Sequence, residues 1–90
     1  MSPWRFRITP EGEEDLDDLD KNFQKRVIEK LMWLAENFDK VTPLPLGGQW
    51  RGFFNSRVGD WRIIYEVDNE NKEIIVHIID RREKIYKRKK

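Results

Sequence analysis

The stretch Arg57-Val58-Gly59-Asp60-Trp61-Arg62 decides the fold. Two apolar, strand-like runs meet at Gly59-Asp60, a glycine-first pair suited to a two-residue hairpin turn. That turn sets Val58 against Trp61 and Arg57 against Arg62. Two arginines then face each other across the ladder, Cβ atoms roughly 5 Å apart, where like charges repel. Such a pair suits an anion, and phosphate fits the planar guanidinium fork. The alternative is a surface network in which both arginines pair with Glu66, Asp60 or Asp80.

Outward from the hairpin, the alternation assigns faces. Phe54, Ser56 and Val58 lie with Trp61, Ile63 and Tyr65, a mostly apolar set that packs on helices. Arg51, Phe53, Asn55 and Arg57 lie with Arg62, Ile64 and Glu66 on the opposite face. The strands are expected at Trp50–Val58, Trp61–Val67 and Glu73–Asp80, the last two joined by the polar Asp68–Lys72 loop. The third, apolar on both faces, is expected to be central. His77, the only histidine, sits among its isoleucines and reads as a hydrogen-bonded structural residue.

Upstream, Trp4-Arg-Phe-Arg-Ile8 alternates as a short strand. Thr9 and Pro10 mark a helix start, as cap and first-turn residue. Gly12 in that first turn costs about 1 kcal/mol relative to alanine. The acids Glu13, Glu14, Asp15, Asp17 and Asp18 read as a solvated face rather than metal ligands. Asp20 caps a longer helix, with Phe23, Val27, Leu31, Leu34 and Phe38 at helical spacing, ending near Asn37–Asp39. Residues 41–48, rich in proline and glycine, read as a connecting loop. The expected fold is α+β, in the order β-α-α-β-β-β. A helical hairpin packs on a mostly antiparallel four-stranded sheet.

Ninety residues suit one domain, 1–90, with a basic tail at 87–90. Residues 1–45 hold 7 Lys/Arg against 10 Asp/Glu, and residues 46–90 hold 11 against 7. An acidic helical half and a basic half that meets an anion follow from that split. The chain has no cysteine, which excludes disulfides and thiolate metal sites. No run of about 18 apolar residues exists to span a membrane. Met1–Thr9 mixes arginines with aromatics and has no secretory core, so a cytoplasmic protein is expected. Four tryptophans and five phenylalanines supply the area for a small core.

Four segments, in order, resemble the RelE/ParE superfamily of small bacterial and archaeal toxins. They are Ile8-Thr-Pro-Glu-Gly-Glu-Glu-Asp-Leu16, where alanine is more usual at Gly12, Leu46-Gly-Gly-Gln-Trp-Arg-Gly-Phe53, Arg57-Val-Gly-Asp-Trp-Arg-Ile-Ile-Tyr65, and Asp80-Arg-Arg-Glu-Lys-Ile-Tyr86. The resemblance implies the toxin of a type II toxin–antitoxin pair, a RelE-like enzyme that cuts mRNA on the ribosome. It assigns catalytic positions to Arg57, Arg62, Arg82 and Tyr86. RNA contacts are expected from Arg51, Phe53, Asn55, Arg81, Lys84 and Lys87. No metal or cofactor is implied. The implied partners are a cognate antitoxin, the ribosome and mRNA, with operator DNA reached through the antitoxin. Two features depart from the pattern. Phe53 and Asn55 stand where RelE-type enzymes carry lysines, and Asp80-Arg81 replaces a Gly-His. Lys84 and Lys87 are the candidate replacements. The alternatives are a ParE-like inhibitor of DNA gyrase and a catalytically weak member that only binds its antitoxin.

Overall fold

The computed structural model describes residues 2–85 and residue 87, with the side chain of Arg82 excluded. Strand β1 (Arg5–Ile8) leads into helices α1 (Pro10–Asp17) and α2 (Lys21–Glu36). Strands β2 (Leu44–Pro45), β3 (Phe54–Val58), β4 (Trp61–Asp68) and β5 (Glu73–Arg81) follow, then a single helical turn, α3 (Arg82–Ile85). The sheet order is β1-β5-β4-β3-β2, with β1 parallel to β5 and every other pair antiparallel.

Both helix starts follow from their caps. The Thr9 hydroxyl accepts from the Gly12 N–H at 3.2 Å, and the Asp20 carboxylate accepts from the Phe23 N–H at 2.9 Å. Each bond satisfies a donor that a helix N-terminus otherwise leaves open. Helix α1 packs on β5 and β1, and α2 on β1 and β3. Between helices and sheet, Val27 and Leu31 of α2 meet Val58, Ile63, Val76 and Ile79. Further along, Leu34 and Phe38 meet Trp4, Tyr65 and Ile74. Each fully buried aliphatic side chain contributes about 1.5–3 kcal/mol.

Four differences from the sequence reading have physical causes. The sheet has five strands rather than four, because Leu44–Pro45 pairs with Asn55 and Phe54 at the edge of β3. Strand β3 starts at Phe54 rather than Trp50, because Gly48–Trp50 forms a 3-10 turn and Gly52, at φ +93°, turns the chain. The strand at Glu73–Arg81 is interior but not central: β1 occupies its far side, and β4 holds the middle. Its apolarity on both faces matches burial on both, and a bulge interrupts its register. Ile64 pairs with Ile78 while Tyr65 pairs with Val76, which leaves His77 as the extra residue. The bulge shifts the face alternation by one, so Val76 and Ile79 point to the helices while Ile78 points away.

The face away from the helices is also covered. Trp50, Phe53, Ile64, Ile78 and Ile85 form a third buried cluster there. The Trp50 indole N–H is buried with no hydrogen-bond partner among the described residues. Apolar area, rather than polar contact, therefore holds this cluster. Asp15 departs from a solvated role as well. Its Oδ2 accepts from the Ile79 N–H at 3.0 Å, beyond the last β1–β5 pair. At the β4–β5 turn, the Asn71 side-chain amide, with backbone N–H groups of Asn71 and Glu70, holds the Asp68 carboxyl below the usual carboxylate range.

Gly12 is where α1 touches the sheet most closely. A Cβ there would stand 2.8 Å from Ile8 Cγ2 and 2.9 Å from the Val76 carbonyl oxygen. A β-branched side chain and a strand backbone have little room to move. Gly12→Ala is expected to lower stability in urea unfolding: overpacking costs about 1–3 kcal/mol against roughly 1 kcal/mol of helix propensity gained. A second expectation concerns Tyr65, whose hydroxyl burial pushes up to about 12. The folded state holds this proton where the unfolded chain, near pKa 10, loses it. Stability should therefore fall as pH rises from about 10 towards 12. Tyr65→Phe should flatten that part of the stability–pH curve.

Candidate functional site

The β3–β4 hairpin builds the site. Gly59 takes φ +60° at the first central position of the turn, a conformation glycine adopts without a Cβ penalty. The resulting register pairs Val58 with Trp61 and Arg57 with Arg62. On the other side of β4, Arg62 stands opposite Asp80 and Trp61 opposite Arg81. Three arginines from three strands thus meet at one end of the sheet. They line an open cleft of about 360 Å³ together with Asp60, Trp61 and Glu83.

Trp61 forms one wall. The Arg81 guanidinium carbon lies 5.7 Å from its ring centroid, and Phe23 packs tilted against the same indole at 5.4 Å. The indole therefore fixes where Arg81 points. The Arg81 N–H donates to Asp80 Oδ1 at 2.7 Å, which holds the strand end in place. Arg26 of α2 adds a cation at the turn, with Nη2 3.8 Å from the position a Gly59 Cβ would take. The cleft is not purely cationic. Asp60 and Glu83 line it, and the buried Asp80 stands across the ladder from Arg62. Three guanidinium groups thus stand among three carboxylates, and the donors an anionic ligand would meet are the guanidinium N–H groups at the open mouth.

The remaining sequence candidates are scattered. Phe53 is buried, edge-on to Trp50 at 5.7 Å and to His77 at 5.2 Å, so it presents no surface to RNA. The Asn55 side-chain amide donates to the Leu44 carbonyl at 3.4 Å and ties β3 to the edge strand. Arg51 is exposed beside Gly52. Lys84 lines a separate depression with Asp15, Asp18 and Asp80. Lys87 is exposed, its N–H bonded to the Lys84 carbonyl at 3.1 Å. Tyr86, Arg88, Lys89, Lys90 and the Arg82 side chain lie outside the described residues. His77 Nε2 lies 3.0 Å from Glu66 Oε1, the structural contact expected of it. Sequence reasoning missed Trp61 and Glu83 as cleft residues and named Asp60 only as an arginine partner. For Trp61 the signal was present in the turn itself, since it lies between the paired arginines. Among the described residues no group of three or more His, Cys, Asp or Glu side chains is placed to hold a metal. No helix among them is long and apolar enough to cross a membrane.

A small α+β domain with helices on one sheet face and an arginine cleft at its hairpin end defines the class. Residues 6–85 match the family described as ParE toxin of type II toxin-antitoxin system, parDE, and the chain belongs to that family within the RelE/ParE toxin superfamily. Toxin RelG of Mycobacterium tuberculosis is 27% identical over 86 residues, covering 96% of this chain and 99% of that protein. Among solved structures, the toxin–antitoxin complex RelBE2 from Mycobacterium tuberculosis superposes with a TM-score of 0.78 at 27% identity, covering 89% of this chain and 99% of that one. The archaeal RelE–RelB complex from Pyrococcus horikoshii gives 0.69 at 25% identity, covering 89% and 96%.

The Arg57–Arg62 pair supplies a test that needs no substrate. Arg57 is exposed, so Arg57→Ala removes repulsion and little packing. The variant should gain about 0.2–1 kcal/mol in denaturant unfolding at low salt. The gain should shrink towards zero at about 1 M salt, where screening shortens to about 3 Å.

Proposed function

We propose that this toxin arrests translation by cutting mRNA on the ribosome. The observation that carries the reading is the convergence of Arg57, Arg62 and Arg81 on one open cleft. In the proposed reaction the ribose 2′-oxygen attacks the adjacent phosphorus and the bond to the 5′-oxygen breaks. The products are a 2′,3′-cyclic phosphate and a 5′-hydroxyl. Charge grows on the phosphoryl oxygens during attack, and preorganised guanidinium groups stabilise it. Arg62, at the centre of the three arginines, takes the scissile phosphate, with Arg57 and Arg81 on either side. Glu83, in the same cleft, takes the 2′-hydroxyl proton, and solvent at the open mouth protonates the 5′-oxygen. Arg82 and Tyr86 follow in the chain and extend the RNA contacts.

The cognate partner is an antitoxin that covers the basic cleft; the RelB-bound relatives support this. The ribosome and mRNA are the targets in the cytoplasm, and operator DNA is reached through the antitoxin.

One observation favours a second reading, a ParE-like poison of DNA gyrase without RNA chemistry. Phe53 and Asn55 stand where RelE-type enzymes carry lysines, and both are committed to structural contacts. Primer extension on mRNA from induced cells separates the two. Cuts within translated codons support RNA cleavage; intact mRNA with DNA damage supports gyrase. On programmed ribosomes, Arg62→Ala is expected to slow cleavage by about 10²-fold or more and to relieve growth arrest. Glu83→Gln should slow the single-turnover rate while leaving RNA affinity unchanged. Unaltered arrest by the Arg62 variant would remove the cleft from the mechanism.

A further inference from the structure

Arg81 reaches the cleft from the other side of the sheet. Side chains alternate along β4, so Trp61 and Arg62 leave opposite faces. Trp61 packs with the helix-side core, and Arg81, its ladder partner, shares that face. Arg57, Arg62 and Asp80 share the opposite one. All three arginines line one cleft, so Arg81 joins it only around the end of the sheet. An exposed arginine has many rotamers, and something must select one.

A ring makes that selection rather than a carboxylate. The Arg81 guanidinium carbon lies 5.7 Å from the Trp61 ring centroid, and no carboxylate among the described residues forms an ion pair with it. The difference matters for an anion site. A carboxylate would neutralise the charge and occupy the fork of N–H donors. A ring face attracts the cation and leaves the donors open along the guanidinium edge.

The indole is held in its turn. Phe23 of α2 packs against it, ring centroids 5.4 Å apart and planes tilted by 49°, and Val58 stands across the hairpin. Phe23 carries a cation of its own, with the Arg26 guanidinium carbon 5.1 Å from its centroid. Arg26, Phe23, Trp61 and Arg81 thus form one stack that runs from α2 to β5.

We infer that Trp61 is a positioning residue of the arginine cleft. Its π face sets Arg81 for an anion without neutralising it, and Phe23 buttresses the indole from α2. Trp61 touches no reacting atom, and its effect passes through Arg81. Base stacking is the competing role for such a ring. The ring already carries Arg81 and abuts Phe23, which leaves a poor platform for a base. The consequence for RNA cleavage rests on the reading of the cleft given under Proposed function; the setting of Arg81 does not.

The first test needs no RNA. In the intact chain, the Trp61 ring current should move the Arg81 Nε–H resonance upfield of other exposed arginines, and Trp61→Leu should return it to their position. Pyrophosphate should perturb that resonance and bind Trp61→Leu about threefold or more weakly. The second test is single-turnover cleavage on programmed ribosomes. Trp61→Leu and Arg81→Ala should each slow it about tenfold, and the double variant no further. Trp61→Phe, which keeps a ring face, should recover most of the rate. Fluorinated tryptophans at position 61 drain the negative face and keep the ring. The rate should fall with each added fluorine at unaltered thermal unfolding, and the slope should vanish in Arg81→Ala. An Arg81 resonance and a pyrophosphate affinity that ignore Trp61→Leu overturn the proposal. So does a fluorine slope that persists without Arg81, which assigns the ring to a base. Weakened pyrophosphate binding in a chain that cuts no RNA supports the setting of Arg81 and removes only the nuclease reading.

Discussion

The register of the β3–β4 hairpin governs the rest of the molecule. It depends on one backbone conformation, Gly59 at φ +60°. Side chains alternate with period two, so a slip of one residue would send Val58, Ile63 and Tyr65 to the wrong face. With the register as it stands, those side chains meet α2, and Arg57, Arg62 and Arg81 meet at the sheet end. Core and cleft are thus two results of the same pairing. The core enforces the register that brings the arginines together, against their mutual repulsion of roughly 0.2–1 kcal/mol.

Covering the second sheet face has a functional consequence. Trp50 and Phe53 fold back over Ile64 and Ile78, and Ile85 closes the cluster. That face of β4 and β5 is filled, and the open cleft lies at the end of the sheet. The cleft sits there because β5 ends at Arg81 and α3 turns away, bringing Glu83 to its edge.

The parts of the fold that were legible in the chain are those with short-range causes. Thr9 and Asp20 announce both helix starts through side-chain caps, and Val27, Leu31 and Leu34 mark the buried stripe of α2. Gly59-Asp60 marks the hairpin, and with it the Arg57–Arg62 pair. The missed features are long-range. The two residues of β2 have no pattern of their own and become a strand only by meeting Asn55 and Phe54. The bulge at His77 is hidden because its neighbours are apolar in either register. Asp15 looks like any other acid in a charged helix until the Ile79 N–H arrives 64 residues later. Gly12 looks like a weak helix residue until Ile8 and Val76 leave no room for a Cβ.

By itself, the sequence determined the order of the longer elements, both helix starts, the hairpin and the presence of two arginines face to face, because caps, turns and periodicity act over a few residues. Only the tertiary structure decided which other groups share the arginines' cleft. Arg81 and Glu83 arrive from β5 and α3, and Phe53 leaves for the core. Those placements come from packing between distant segments, where burial and close approach, rather than local propensity, set the outcome.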